Sequence, residues 1–136
     1  MKTIMQSYPN EYGKYDFVEY QPLLESFEYT ILTQVDTGID HGDSFVFYQD
    51  SGRYGYLSFG WGSSSGSDAL QSCKTIADAT ALQTQLLNEI IWFDTAPDAL
   101  TYFQTHDWRF HHFWIQPEFH TFVDQVIAIL TAIIGP

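Results

Sequence analysis

Between Glu28 and Asp36 the side chains alternate, with Tyr29, Ile31, Thr33 and Val35 on one side and Thr30, Leu32 and Gln34 on the other. A period of two predicts a strand. Ser44 to Gln49 and Arg53 to Phe59 are aromatic and β-branched, and Asp50-Ser51-Gly52 joins them. That pattern predicts a hairpin, with Gly52 where positive φ is needed. Further on the period lengthens. Ala79, Leu82, Leu86, Ile90 and Phe93 share one helical face, which predicts a helix over Asp78 to Trp92. Pro97 opens a second helix through Ala99, Leu100 and Phe103, and Pro117 opens a last one. That helix carries Phe119, Phe122, Val123, Val126, Ile127, Leu130, Ile133 and Ile134 on one side. The aromatic run Asp107 to Ile115 reads as a further strand. Asp16 to Ser26 has a short helical pattern interrupted by Pro22. Asp36-Thr37-Gly38 and His41-Gly42-Asp43 bracket a turn-rich loop, and Asp68 is placed to cap a short helical turn.

Strands precede most of the helices. The order predicts an α+β fold: three or four antiparallel strands with helices packed mainly on one face. At 136 residues the chain is expected to form a single domain, 1–136. The apolar stretch Phe119 to Ile134 is broken by His120, Thr121, Asp124, Gln125 and Thr131. It falls short of the roughly 18–20 apolar residues of a membrane span. The N-terminus lacks a long apolar core, so no signal peptide is expected. The single cysteine, Cys73, has no internal disulfide partner, which fits a reducing, cytoplasmic setting.

Charge changes the picture most. Seventeen acidic residues stand against five basic ones, a formal charge of −12. Nucleic-acid binding draws on Lys and Arg to displace counterions, so no direct nucleic-acid partner is expected, nor an anionic membrane. A negative field attracts basic partners, including proteins whose surfaces hold nucleic acid, and it also keeps an aromatic-rich chain soluble.

Four patterns suggest chemistry. Gly60, Gly62 and Gly66 follow a strand and precede a helix start, as in a phosphate cradle. The Lys of a P-loop is missing, and Asp68 would repel phosphate. Gly62-Ser63-Ser64-Ser65-Gly66 fits a nucleophile elbow with Ser64 at its apex, but that motif belongs to a large parallel sheet. Asp36-Thr37-Gly38 with Ile133-Ile134-Gly135 mimics a retroviral-type aspartic protease, although the isoleucines lie on a helical stripe. His106, His111, His112 and His120 cluster around the last predicted strand without metal-ligand spacing, and His111 and His112 would face opposite sides of it.

The segment Tyr54-Gly55-Tyr56-Leu57-Ser58-Phe59-Gly60-Trp61-Gly62, continuing S-S-S-G-S-D-A-L-Q, resembles the signature Y-G-x-L-x-F-G-[YW]-G-S-C-S-G-C-D-A-L-Q. That signature marks a family of small, acidic, uncharacterised phage and bacterial proteins. The later I-I-W-F-D and H-D-W pieces extend the resemblance over most of the chain from about Phe27. Both cysteines of the family's C-x-x-C are serine here, Ser64 and Ser67, by natural loss or by substitution. Two thiolates at that spacing converge on one metal or form a redox pair, which two hydroxyls do not. No metal is therefore expected in this chain unless Ser64 and Ser67 are restored to Cys, and no cofactor.

The resemblance, the charge and the aromatics together suggest a non-enzymatic phage-type binding protein in a bacterial cytoplasm. It would inhibit a basic host protein, such as a nucleic-acid-binding immune effector. The expected binding residues are Tyr54, Tyr56, Trp61, Ser64, Gly66, Ser67 and Asp68. Two alternatives are a redox or zinc protein built on the C-x-x-C, and a structural module whose loop only connects strand to helix. An exposed apolar face on the last helix would favour a homodimer.

Overall fold

A computed structural model describes residues 20–38, 41–62, 69–70 and 73–135. The elements are α1 (Gln21–Ser26), β1 (Thr30–Asp36), β2 (His41–Asp50), β3 (Arg53–Gly62), α2 (Ile76–Glu89), β4 (Ile91–Phe93), α3 (Ala96–Thr105) and α4 (Pro117–Ile134). Two 3-10 turns, Trp108–Phe110 and His112–Ile115, connect α3 to α4. The fold is α+β, with four antiparallel strands in the order β1-β2-β3-β4.

The β2–β3 hairpin is the spine of the sheet. Asp50 pairs with Arg53 across a two-residue loop in which Ser51 (φ 50°) and Gly52 (φ 87°) are both left-handed. Positive φ at both loop positions matches the right-handed twist of the strands. Side chains alternate between the two faces along β2. Phe45 and Phe47 face one side, and Val46 and Tyr48 the other. Both sides are buried, so the sheet has helices on each face. The heavier layer is α3, α4 and the 3-10 turns, whose Phe103, Trp108, Phe119 and Phe122 pack on Phe45, Phe47, Tyr54 and Tyr56. On the other face α1 and α2 bring Leu23, Leu24, Ala79, Leu82 and Leu86 against Val46, Tyr48 and Leu57.

Several sequence expectations need correction. Pro22 begins α1 rather than interrupting it, because the first helical turn has no use for the missing N–H. His41 to Asp43 belong to β2, not to a loop. The helix expected to reach Trp92 ends at Glu89, and Ile91–Phe93 forms edge strand β4 against β3. Gly55 permits this: a side chain there would stand 2.7 Å from Ile90 and 2.9 Å from Trp92. The stretch Asp107–Ile115 is no strand. The Asp107 carboxylate accepts from the Arg109 backbone N–H at 3.1 Å, starting a turn in place of a ladder. Bonds from His111 to Trp108, Trp114 to His111 and Gln116 to Phe113 continue the tight winding.

The 18-residue α4 is long and apolar enough to cross a membrane by length and composition. Its stripe of Phe119, Phe122, Val126 and Leu130 is buried against the sheet, while Ile133 and Ile134 at its end stay exposed. The bond from Thr33 Oγ1 to Gln125 Oε1 (2.6 Å) ties it to β1.

Candidate functional site

The turn after β1 and the start of β2 build one end of the sheet. Gly38 is left-handed (φ 78°) and turns the chain. Thr37 and Asp43 then close on each other. The Thr37 N–H donates to the Asp43 carbonyl at 2.8 Å, and the Asp43 N–H donates to Thr37 Oγ1 at 2.9 Å. Gly42 lets the strands approach this closely, since a Cβ there would lie 1.9 Å from the Thr37 carbonyl oxygen. Asp36-Thr37-Gly38 is thus a structural turn, and the isoleucines of the protease-like pattern lie on α4.

This turn forms one wall of a cleft of about 580 Å3, lined by Thr37, Gly38, Gly42, Asp43, Gly60, Trp61, Gln116 and Glu118. A second pocket of about 380 Å3 is lined by Tyr20, Gln21, Gln34, Asp36, Gly38, Ser44 and Trp61, on the α1 side of the sheet, since Ser44 alternates with Asp43 along β2. Trp61 and Gly38 line both pockets. Among the described residues no Lys or Arg lines either one, whereas Asp36, Asp43 and Glu118 all do.

The carboxylates are held in place. Asp36 accepts from Ser44 Oγ at 2.6 Å and faces Gln34 Nε2 at 3.3 Å. Asp43, only 8% exposed, accepts from Gln116 Nε2 at 2.8 Å. Gln116 occupies the N-cap position of α4, yet its side chain makes no capping bond and turns to Asp43 instead. An ionised carboxylate only accepts, so the amide nitrogen must face it. The other end of that amide, Oε1, is buried with no donor among the described residues. The cleft therefore presents mainly acceptors beside the Trp61 indole. That suits a group rich in N–H donors and positive charge, such as a guanidinium or ammonium.

The structure divides the sequence-predicted site residues. Trp61 stands at the cleft. Tyr54 and Tyr56 do not reach the surface, at 4% exposure each. Tyr54 stacks on Phe47 at 5.9 Å, and Tyr56 packs edge-on to Phe103 at 5.4 Å and Trp108 at 5.9 Å. They are core residues, a correction to their expected role as binding anchors. Ser64, Gly66, Ser67 and Asp68 lie outside the described residues. Their lead-in strand β3 pairs antiparallel on both sides, which differs from the parallel sheet behind a nucleophile elbow. Cys73 is buried, and its thiol donates to the Ala69 carbonyl at 3.4 Å.

Sequence reading singled out Asp36 only within a protease-like pattern, and missed Asp43, Gln116 and Glu118 as site residues. Asp43 does carry a signal, an acid two positions before Phe45 on the same face of β2. Gln116 carries none, since its partner lies 73 positions away. The histidines do not flank a strand. His106 Nε2 and His111 Nε2 meet at 3.0 Å with ring centroids 5.2 Å apart, so the rings face nearly head-on. That is the geometry of one shared N–H···N bond. Among the described residues no group of three or more potential metal ligands occurs.

Compared with known proteins, the chain matches no family model, no curated sequence and no solved structure.

Proposed function

We propose that the chain is a non-enzymatic binding protein that inhibits a basic host protein, of the phage type its signature segment resembles. The carrying observation is the acceptor-rich cleft at Trp61, where Asp43 and Glu118 line one pocket, Asp36 lines its neighbour across the sheet, and no Lys or Arg lines either among the described residues. The rest of the surface supports it. Seventeen acidic residues outnumber five basic ones, and of the latter Arg53 is paired with Asp50 at 3.0 Å and Arg109 with Asp107 at 2.8 Å. A protein surface that normally holds phosphates would be steered toward this field, and one of its basic side chains would enter the cleft. Blocking that surface would be the inhibitory act.

Capture from a bacterial lysate tests the reading. At about 50 mM salt the protein is expected to retain a discrete basic nucleic-acid-binding protein, and at about 0.5 M salt to release it. Retention of nothing basic, or retention indifferent to salt, would contradict it.

A further inference from the structure

We propose that the two 3-10 turns supply the apolar anchor of this docking surface. The basic partner would then carry an apolar pocket beside its Lys and Arg residues. The inference rests on the reading above and names what else the partner must offer.

Trp108 and Phe113 point into the aromatic core, and the tight winding between them turns Phe110 and Ile115 outward. Phe110 is 86% exposed and Ile115 84%, with Trp114 partly exposed on the same turn. Neither Phe110 nor Ile115 serves the fold, and each presents apolar surface to water. Large apolar side chains left this exposed on adjoining turns offer a contact site.

The segment is also pinned. Asp107 grips the Arg109 guanidinium at 2.9 and 2.8 Å, and His120 Nε2 meets the Trp114 carbonyl at 2.6 Å. The head-on His106–His111 contact closes the segment from the α3 side. Side chains held on such a frame lose little entropy on binding.

The anchor adjoins the cleft along the chain. Ile115 leads directly into Gln116, which holds Asp43, and then to Glu118. Arg109 on the turns is paired with Asp107. The carboxylates next to Ile115 are thus those of the cleft, Asp43 and Glu118, and their complement is an apolar pocket edged by Lys and Arg. A second copy would set acid against acid, and an anionic bilayer would meet a charge of −12.

The test places a photo-reactive benzophenone residue at Ile115, at Glu118, or at Thr84 on α2 of the opposite helical layer. Each full-length protein is irradiated in bacterial lysate at about 50 mM salt. The 115 and 118 probes are expected to mark the same basic protein, and the 84 probe not to. The adduct from position 115 should fall roughly tenfold with Phe110→Ser, the loss typical of an anchor, and roughly tenfold in about 0.5 M salt. Phe110 is exposed, so an unchanged melting temperature for Phe110→Ser confirms that the fold survives. If 118 marks a basic protein while 115 does not, or Phe110→Ser leaves the yield unchanged, the anchor is wrong and the broader reading stands. Adducts from 115 to another copy, to residues 1–19 or to lipid would also overturn it. If neither probe marks a basic protein, the underlying reading fails as well.

Discussion

Two glycines at the cleft separate shape from stability. Gly42 sits where a Cβ would meet the Thr37 backbone at 1.9 Å, while a Cβ at Gly60 would find Asp43 Oδ1 at 3.6 Å. Gly42→Ala must push β1 from β2 and is expected to cost about 1–3 kcal/mol of folding stability. Gly60→Ala adds a methyl in ordinary contact and should stay within about 0.5 kcal/mol. Urea midpoints of the two variants check this; equal losses would mean the strands do not approach as described. Tyr48 and Tyr56 make a second case. Burial raises both phenols above their ordinary range, and Tyr48 also donates to the Leu24 carbonyl at 3.2 Å. The unfolded chain ionises first, so the stability these groups contribute is complete below about pH 10 and declines as pH rises past it. Thermal melts should fall off in base, and less steeply in Tyr48→Phe. Asp107 runs the other way. Its bonds with Arg109 lower its pKa to about 2, so the clamp holds as pH falls and opens only near that value. NMR titration should find Asp107 near 2, and higher in Arg109→Ala, where only the backbone N–H bond still lowers it.

At the scale of elements, local signals were legible where they decided the outcome alone. The Asp50–Arg53 hairpin, the proline starts of α3 and α4 and the apolar stripe of α4 follow from residues near one another in the chain. The helix starts hold two capping threonines that pattern reading passed over. Thr75 and Asp78 form a reciprocal capping box, and Thr95 accepts from the Asp98 N–H. Thr75→Ala and Thr95→Ala are each expected to cost about 1 kcal/mol, measurable by chemical denaturation. Illegible elements depended on distant partners. Ile91–Phe93 continues the helical spacing of α2, and becomes a strand because Gly55, far back in the chain, leaves room for it. Asp107–Ile115 has strand composition, but the Asp107 side chain captures its own backbone, and the aromatic core accepts only Trp108 and Phe113 from it. The His106–His111 contact at 3.0 Å further fixes those turns, one Nε2 donating and the other accepting.

Over the whole molecule, the aromatic richness and the acidity part company. Most aromatic residues serve the core, where Phe45, Phe47, Tyr54, Tyr56, Phe103 and Phe122 pack ring on ring. Composition alone does not reveal that, because a Tyr on a strand reads the same whether its face is covered or bare. The helices on both faces of the sheet removed Tyr54 and Tyr56 from the surface and left Trp61 at its end. Acidic residues distant in sequence, Asp36, Asp43 and Glu118, line the two pockets that share Trp61. The central claim is that this end of the sheet, rather than net charge in general, recognises a basic protein. Two charge-matched variants test it most directly. Asp36→Asn/Asp43→Asn/Glu118→Gln neutralises both pockets, and Glu89→Gln/Asp94→Asn/Asp98→Asn removes as many charges elsewhere. The measurement is the amount of basic protein each retains from the same lysate at about 50 mM salt. The account predicts retention by the second variant at near wild-type level and loss, roughly tenfold or more, by the first. Equal retention by the two would contradict it.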